Sequence, residues 1–92
     1  GPGIAALLTR VREQHSLRAA AMSMGMAYSK AWRIVNEAEG QLGCKLIERD
    51  GARGSTLTPA GERAIKAYET LQADINQVIA AKADALIAII KE

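Results

Sequence analysis

Phenylalanine is absent from this 92-residue sequence, and aromatic residues make up only 3% of it: Tyr28, Trp32 and Tyr68. The core must therefore be built from Ala, Leu, Ile, Val and Met, a palette that favours helices. Cys44 is the only cysteine and His15 the only histidine. No intrachain disulfide can close, and the chain cannot assemble a zinc site of four Cys/His ligands. There is no Gly-rich phosphate loop of the Walker type and no basic start followed by an apolar run, as in a secretory signal. Nor does any stretch reach the roughly 18 uninterrupted apolar residues of a membrane span, because Lys82 and Asp84 break the most apolar part, 78–90. Structural zinc, P-loop nucleotide chemistry and membrane insertion are thereby excluded, and the cytoplasm is the expected compartment. No pairing of carboxylates, nucleophile with base, or cofactor loop can be pointed to, so an enzyme is not expected.

What is there is ordinary globular composition, 49% hydrophobic and 24% charged, in a chain with room for one core. The formal net charge of +2 is unevenly spread. Residues 1–66 carry ten Lys/Arg against six Asp/Glu, or +4, whereas residues 67–92 carry two against four, or −2. The first two thirds attract polyanions and the last third does not.

Residues 1–3, Gly-Pro-Gly, read as a cloning remnant or frayed end, and the fold is expected to start near Ile4. Ile4, Leu7, Leu8 and Val11 follow i, i+3, i+4, i+7 spacing, one stripe of an amphipathic helix ending near His15. Ser16 is placed to cap a short second helix whose inner stripe is Leu17, Ala20, Ala21 and Met24. Met22, Met24 and Met26 read as packing and gap-filling residues rather than soft-metal ligands, and His15 and Cys44 as structural. Gly25 suits the left-handed backbone of a tight turn. A third helix runs from Ala27 or Tyr28 to about Leu42. Its inner face is Ala31, Ile34, Val35, Ala38 and Leu42; its outer face is Ser29, Arg33 and Asn36, flanked by Lys30 and Glu37. Tyr28 and Trp32 fall on the boundary, and Trp32 is expected to join the core with its indole N–H satisfied.

After Gly43 the period changes to two, from Cys44 to Arg49. Turn residues occupy 50–55, and Thr56-Leu57-Thr58 extends again, which predicts a short two-stranded hairpin. Thr58-Pro59 is a helix start. No proline or stop signal then interrupts the chain, so the last helix runs up to 33 residues, about 50 Å at 1.5 Å per residue.

The expected fold is mainly α with a small β-hairpin: a winged helix-turn-helix over 4–58 and a long C-terminal dimerisation helix over 59–92, in one domain. Such an arrangement suits duplex DNA, whose major groove admits an α-helix with small or hydrogen-bonding residues at its leading turns and cations at its margins. The candidate DNA-binding residues are Ala27, Tyr28, Ser29, Lys30, Arg33 and Asn36 on the third helix, with Arg49, Arg53 and Thr58 on the hairpin. Arg33 has the chemistry for the bidentate contact to guanine.

Residues 17–68 also resemble the DNA-binding domain of molybdate-dependent regulators of the ModE type, related to the LysR-type winged helix. The resemblance is carried by Ala19-Ala20-Ala21 with Gly25-Met26, by Tyr28-Ser29-Lys30-Ala31-Trp32, by Leu46-Ile47-Glu48-Arg49 and by Leu57-Thr58-Pro59-Ala60-Gly61. It implies a transcription regulator whose third helix reads DNA and which dimerises through its terminal helices. The wing is shorter and poorer in glycine than is usual in that family. The oxyanion-binding domains of full regulators have no counterpart in these residues, so molybdate sensing is not assigned to them and no cofactor is expected in this chain.

In the last helix Tyr68, Leu71, Ile75, Val78, Ile79, Leu86, Ile89 and Ile90 form a stripe too wide for one small head to cover. In a 3.5-residue register, positions 68, 72, 75, 79, 82, 86 and 89 are apolar at five of seven. With Ile4 and Leu8 of the first helix they are the candidate dimerisation residues, in an antiparallel or crossed pairing; Lys82 sits awkwardly in the seam. The expected partners are double-stranded DNA and a second copy of the chain. The competing reading is a protein-interaction or dimerisation module with a winged-helix fold that binds no DNA.

Overall fold

The computed structural model describes residues 2–92, without the side chains of Pro2 and Arg53. Helix α1 spans Pro2–Gln14; it begins two residues earlier than expected, since a proline's fixed φ suits a first helical turn. Leu7, Leu8 and Val11 are buried, and Ile4 packs half-buried against them. Leu8, expected at a dimer contact, is 1% exposed inside its own head. It belongs to the core because the packed elements close over Leu7, Leu8 and Val11, and of the α1 stripe only Ile4 is left half-buried.

Helix α2 covers Leu17–Ser23, and the Ser16 hydroxyl accepts the Ala19 N–H at 3.0 Å, as its capping role requires. The turn that follows uses Gly25 at φ 65°. Helix α3 runs Tyr28–Leu42, with Ala31 and Val35 buried and Ile34 and Ala38 half-buried. Leu42, expected inside, is instead 60% exposed. It lies in the last turn of α3, beyond the reach of the packed helices. Met24 and Met26 do pack against the core, whereas Met22 points outward at 73% exposure.

The hairpin pairs β1, Ile47–Arg49, with β2, Ser55–Leu57, antiparallel, Ile47 facing Leu57 and Arg49 facing Ser55. A 3-10 turn over Gly51–Arg53 joins them. Alternation does not reach back to Cys44, because Leu46 and Ile47 are both buried. Their amides are held from below by Glu39 of α3, whose carboxylate accepts the Leu46 N–H at 2.7 Å and the Ile47 N–H at 3.4 Å. Glu39 is 8% exposed and pairs with Lys45 at 3.6 Å. Because Lys45 is largely solvated, that pair adds little; the charge-assisted bonds to the amides matter more. Glu39→Gln, which keeps an acceptor oxygen but not the charge, is expected to cost about 1 to 2 kcal/mol in urea unfolding. An unchanged midpoint would show that the carboxylate is incidental to the junction.

The turn between α1 and α2 also supports the wing. His15 has φ 56°, unusual for a residue other than glycine, and its carbonyl accepts the Ser55 N–H at 2.8 Å. Gly54 passes so close that a Cβ there would strike this carbonyl.

Helix α4 spans Pro59–Lys91, at the predicted length. Thr58 caps it, accepting the Gly61 N–H at 3.0 Å and donating to the Lys45 carbonyl at 2.6 Å. Ile65 enters the core, and Tyr68 is the last residue half-covered by the head. Beyond it the helix projects, giving the molecule extents of 62 × 26 × 21 Å.

Candidate nucleic-acid interface

The outer face of α3 follows from its periodicity: once Ala31 and Val35 are inside, residues 29, 33 and 36 must face away. Ser29, Lys30, Arg33 and Asn36 are exposed, as is Ala27 just before the helix. Among the described residues no hydrogen bond or ion pair engages any of the four polar side chains, so their donors and acceptors are open to a ligand. The short side chains of Ala27 and Ser29 leave the leading turn narrow, and the two cations flank it. A surface of this shape and chemistry matches the edge pattern of a major groove.

Two boundary residues behave differently. Tyr28 and Trp32, one helical turn apart, meet edge to face with ring centroids 6.3 Å apart at 78°. The Arg18 guanidinium of α2 lies 4.2 Å from the Tyr28 ring centroid, and that of Arg49 from β1 lies 4.2 Å from the Trp32 ring centroid. Arg49 Nη2 also donates to the Tyr28 hydroxyl at 3.0 Å. Trp32 packs half-buried against the core as expected, but its Nε1 is buried without an acceptor among the described residues.

Thr58, expected to touch DNA, is 7% exposed and both donates and accepts within the fold. It is a capping residue and not part of the exposed face, because its hydroxyl and amide close onto the Lys45 and Leu46 carbonyls where α4 starts. The side chain of Arg53 lies outside the described residues; its backbone is in the turn at the wing tip. Glu39 escaped the sequence reading, since a glutamate on a helix is ordinarily solvated. The available clue was its place on the edge of the Ala31, Val35, Ala38 and Leu42 stripe. Among the described residues, no group of His, Cys, Asp and Glu is arranged to hold a metal ion, and no helix is long and apolar enough to cross a membrane.

Comparison with known proteins agrees with this picture. The family described as "Bacterial regulatory helix-turn-helix protein, lysR family" matches residues 5–62, from α1 through the wing to the first turn of α4. Molybdenum-pterin-binding protein MopB of Rhodobacter capsulatus is 31% identical over 78 residues, covering 80% of this chain and 29% of that protein. The chain thus spans less than a third of that relative's length. The similarity is in line with the ModE-type resemblance read from the α2, α3 and wing residues. A solved structure reported as "Crystal Structure of BenM_DBD/benA site 1 DNA Complex" superposes with a TM-score of 0.70 at 23% identity, over 89% of this chain and 94% of that one. At that identity the likeness establishes the winged-helix fold.

Proposed function

The chain belongs to the lysR family of bacterial regulatory helix-turn-helix proteins, and from that premise we propose that it is a sequence-specific DNA-binding unit of a transcription regulator. It acts as a homodimer that reads a palindromic site with α3 in the major groove. The observation that carries the reading is the open face of Ser29, Lys30, Arg33 and Asn36, exposed and unengaged on a helix held rigidly by its inner stripe. That the solved neighbour is a DNA complex supports the same choice of partner.

The dimer half of the proposal is supported by α4. Leu71, Ile75, Val78, Ile79, Leu86, Ile89 and Ile90 are each between 43% and 80% exposed, a run of apolar surface that a monomer rarely leaves in water. A second copy related by a two-fold axis covers each stripe with the other. It also sets the two α3 helices to read half-sites about one helical turn apart, roughly 34 to 36 Å.

Selecting bound duplexes from a random pool tests binding, symmetry and spacing together. A palindromic consensus is expected, and no retardation of any duplex at micromolar protein and low salt would overturn the reading in favour of a protein-interaction module. Within a selected site, Arg33→Ala is expected to lose about 1 to 3 kcal/mol of discrimination at one base pair in each half-site. Equal weakening on every sequence would remove Arg33 from base reading.

A further inference from the structure

Arg49 stands on the wing and is exposed, yet its guanidinium is laid against α3. It is the last residue of β1, at the far end of the strand from the Glu39 anchor. Its guanidinium meets two aromatic residues of α3 at once: Cζ lies 4.2 Å from the Trp32 ring centroid, and Nη2 reaches the Tyr28 hydroxyl. Tyr28 is itself held on its ring face by Arg18 of α2 and on its edge by Trp32. Three elements, α2, α3 and β1, thus converge on one cluster in which each of two aromatic rings in mutual contact carries a guanidinium. The rest of the wing is tied elsewhere, by Glu39 at the Leu46-Ile47 end and by the Ser55 amide on His15. Arg49 is what ties the distal end of β1 to α3.

We infer that Arg49 is a positioning residue: a strut between the wing and α3 that sets the angle at which the two are presented together. Its role in a DNA complex is to hold this geometry, not to neutralise a phosphate. A guanidinium suits the task as an ammonium does not, because only a planar fork stacks on one ring while donating in its own plane to another residue. The strut stands on the intramolecular geometry; its consequence for DNA rests on the proposed function.

The test uses the whole chain and three variants, Arg49→Met, Arg49→Lys and Tyr28→Phe, each checked for native helicity. Trp32 is the only tryptophan, so its emission reports directly on the cluster. Both Arg49 variants are expected to change the Trp32 emission band in the absence of DNA and to speed amide exchange in β1 and β2 by roughly tenfold, corresponding to the loss of one modest interaction. On a selected duplex, Arg49→Met and Arg49→Lys are both expected to weaken binding about three- to tenfold with the slope of affinity against salt unchanged. Tyr28→Phe should reproduce part of the loss and add nothing to Arg49→Met in the double variant. A phosphate contact gives the opposite pattern: Arg49→Lys close to wild type and Arg49→Met with a salt slope shallower by about 0.9. That pattern, or an emission band indifferent to Arg49, overturns the strut. If the wild type binds no duplex, the DNA reading fails, while emission and amide exchange still decide the strut.

Discussion

If the chain pairs through α4 as proposed, Ile79→Asp is expected to leave it monomeric and to lower affinity for a full palindrome by about two to three orders of magnitude, leaving half-site affinity nearly unchanged. The reasoning begins with what the head does not cover. From residue 69 onward every residue of α4 except the half-buried Ala83 is exposed. A helical stretch without packing partners is marginal in water even when its residues favour helices. What stabilises it, on the proposed reading, is burial of the stripe against a second copy, at about 1.5 to 3 kcal/mol for each large side chain removed from water. Ile79 is 60% exposed in the lone chain and central in that stripe, between Ile75 and Leu86. An aspartate there places a charge in the middle of an apolar seam, and burying a charge that lacks a matched partner is costly. Linkage explains the effect on DNA: two tethered α3 helices make the second half-site contact intramolecular, and a monomer loses that advantage. Sedimentation at micromolar concentration and titration on full and half sites check the two halves separately. A variant that stays dimeric would move the interface away from α4.

Gly61→Ala is expected to lower stability by about 2 to 3 kcal/mol, which for a domain of this size moves the thermal midpoint down by roughly 10 °C or more. In an exposed helix the same change is mildly favourable, because alanine is the better helix former. The sign reverses here because a Cβ at Gly61 would overlap the Leu46 carbonyl oxygen and crowd the Leu57 side chain. The carbonyl has no room to retreat. It accepts the Thr58 N–H at 3.0 Å, and the Leu46 amide is held by Glu39. Backbone just ahead of β1, the cap of α4 and the first turn of α4 thus meet at one point, where only a hydrogen fits. Differential scanning calorimetry of the variant is the measurement, and an unchanged or raised midpoint would show that the junction yields.

The helices and the hairpin were legible because the signals that make them are local. Ser16 and Thr58 announce caps that the structure realises at 3.0 Å each, and the stripe of Ala31 and Val35 fixes which way Ser29 and Arg33 must face. Boundaries suffered where packing was needed to judge them. Leu42 has the right angular position for the core but lies beyond its end, and Leu8 looks like surplus apolar surface until α2, α3 and α4 are seen to close over it. Thr58 shows the same weakness from the other side. A threonine beside a wing reads equally as a cap or a contact, and its burial decides for the cap.

Periodicity, capping and the split of charge along the chain depend on residues within a turn or two of one another, and they were enough to establish a winged helix with an open polar face on α3 and an apolar stripe left over on α4. Glu39 under the amides of Leu46 and Ile47, Gly61 against the Leu46 carbonyl, and Arg49 laid across Trp32 and Tyr28 belong to a different order of fact. Each joins positions that only folding brings together, and each depends on how closely the packed elements approach. A side chain's identity states which bonds it is able to make; the packed chain chooses among them, because a buried amide or a blocked ring face leaves it one partner.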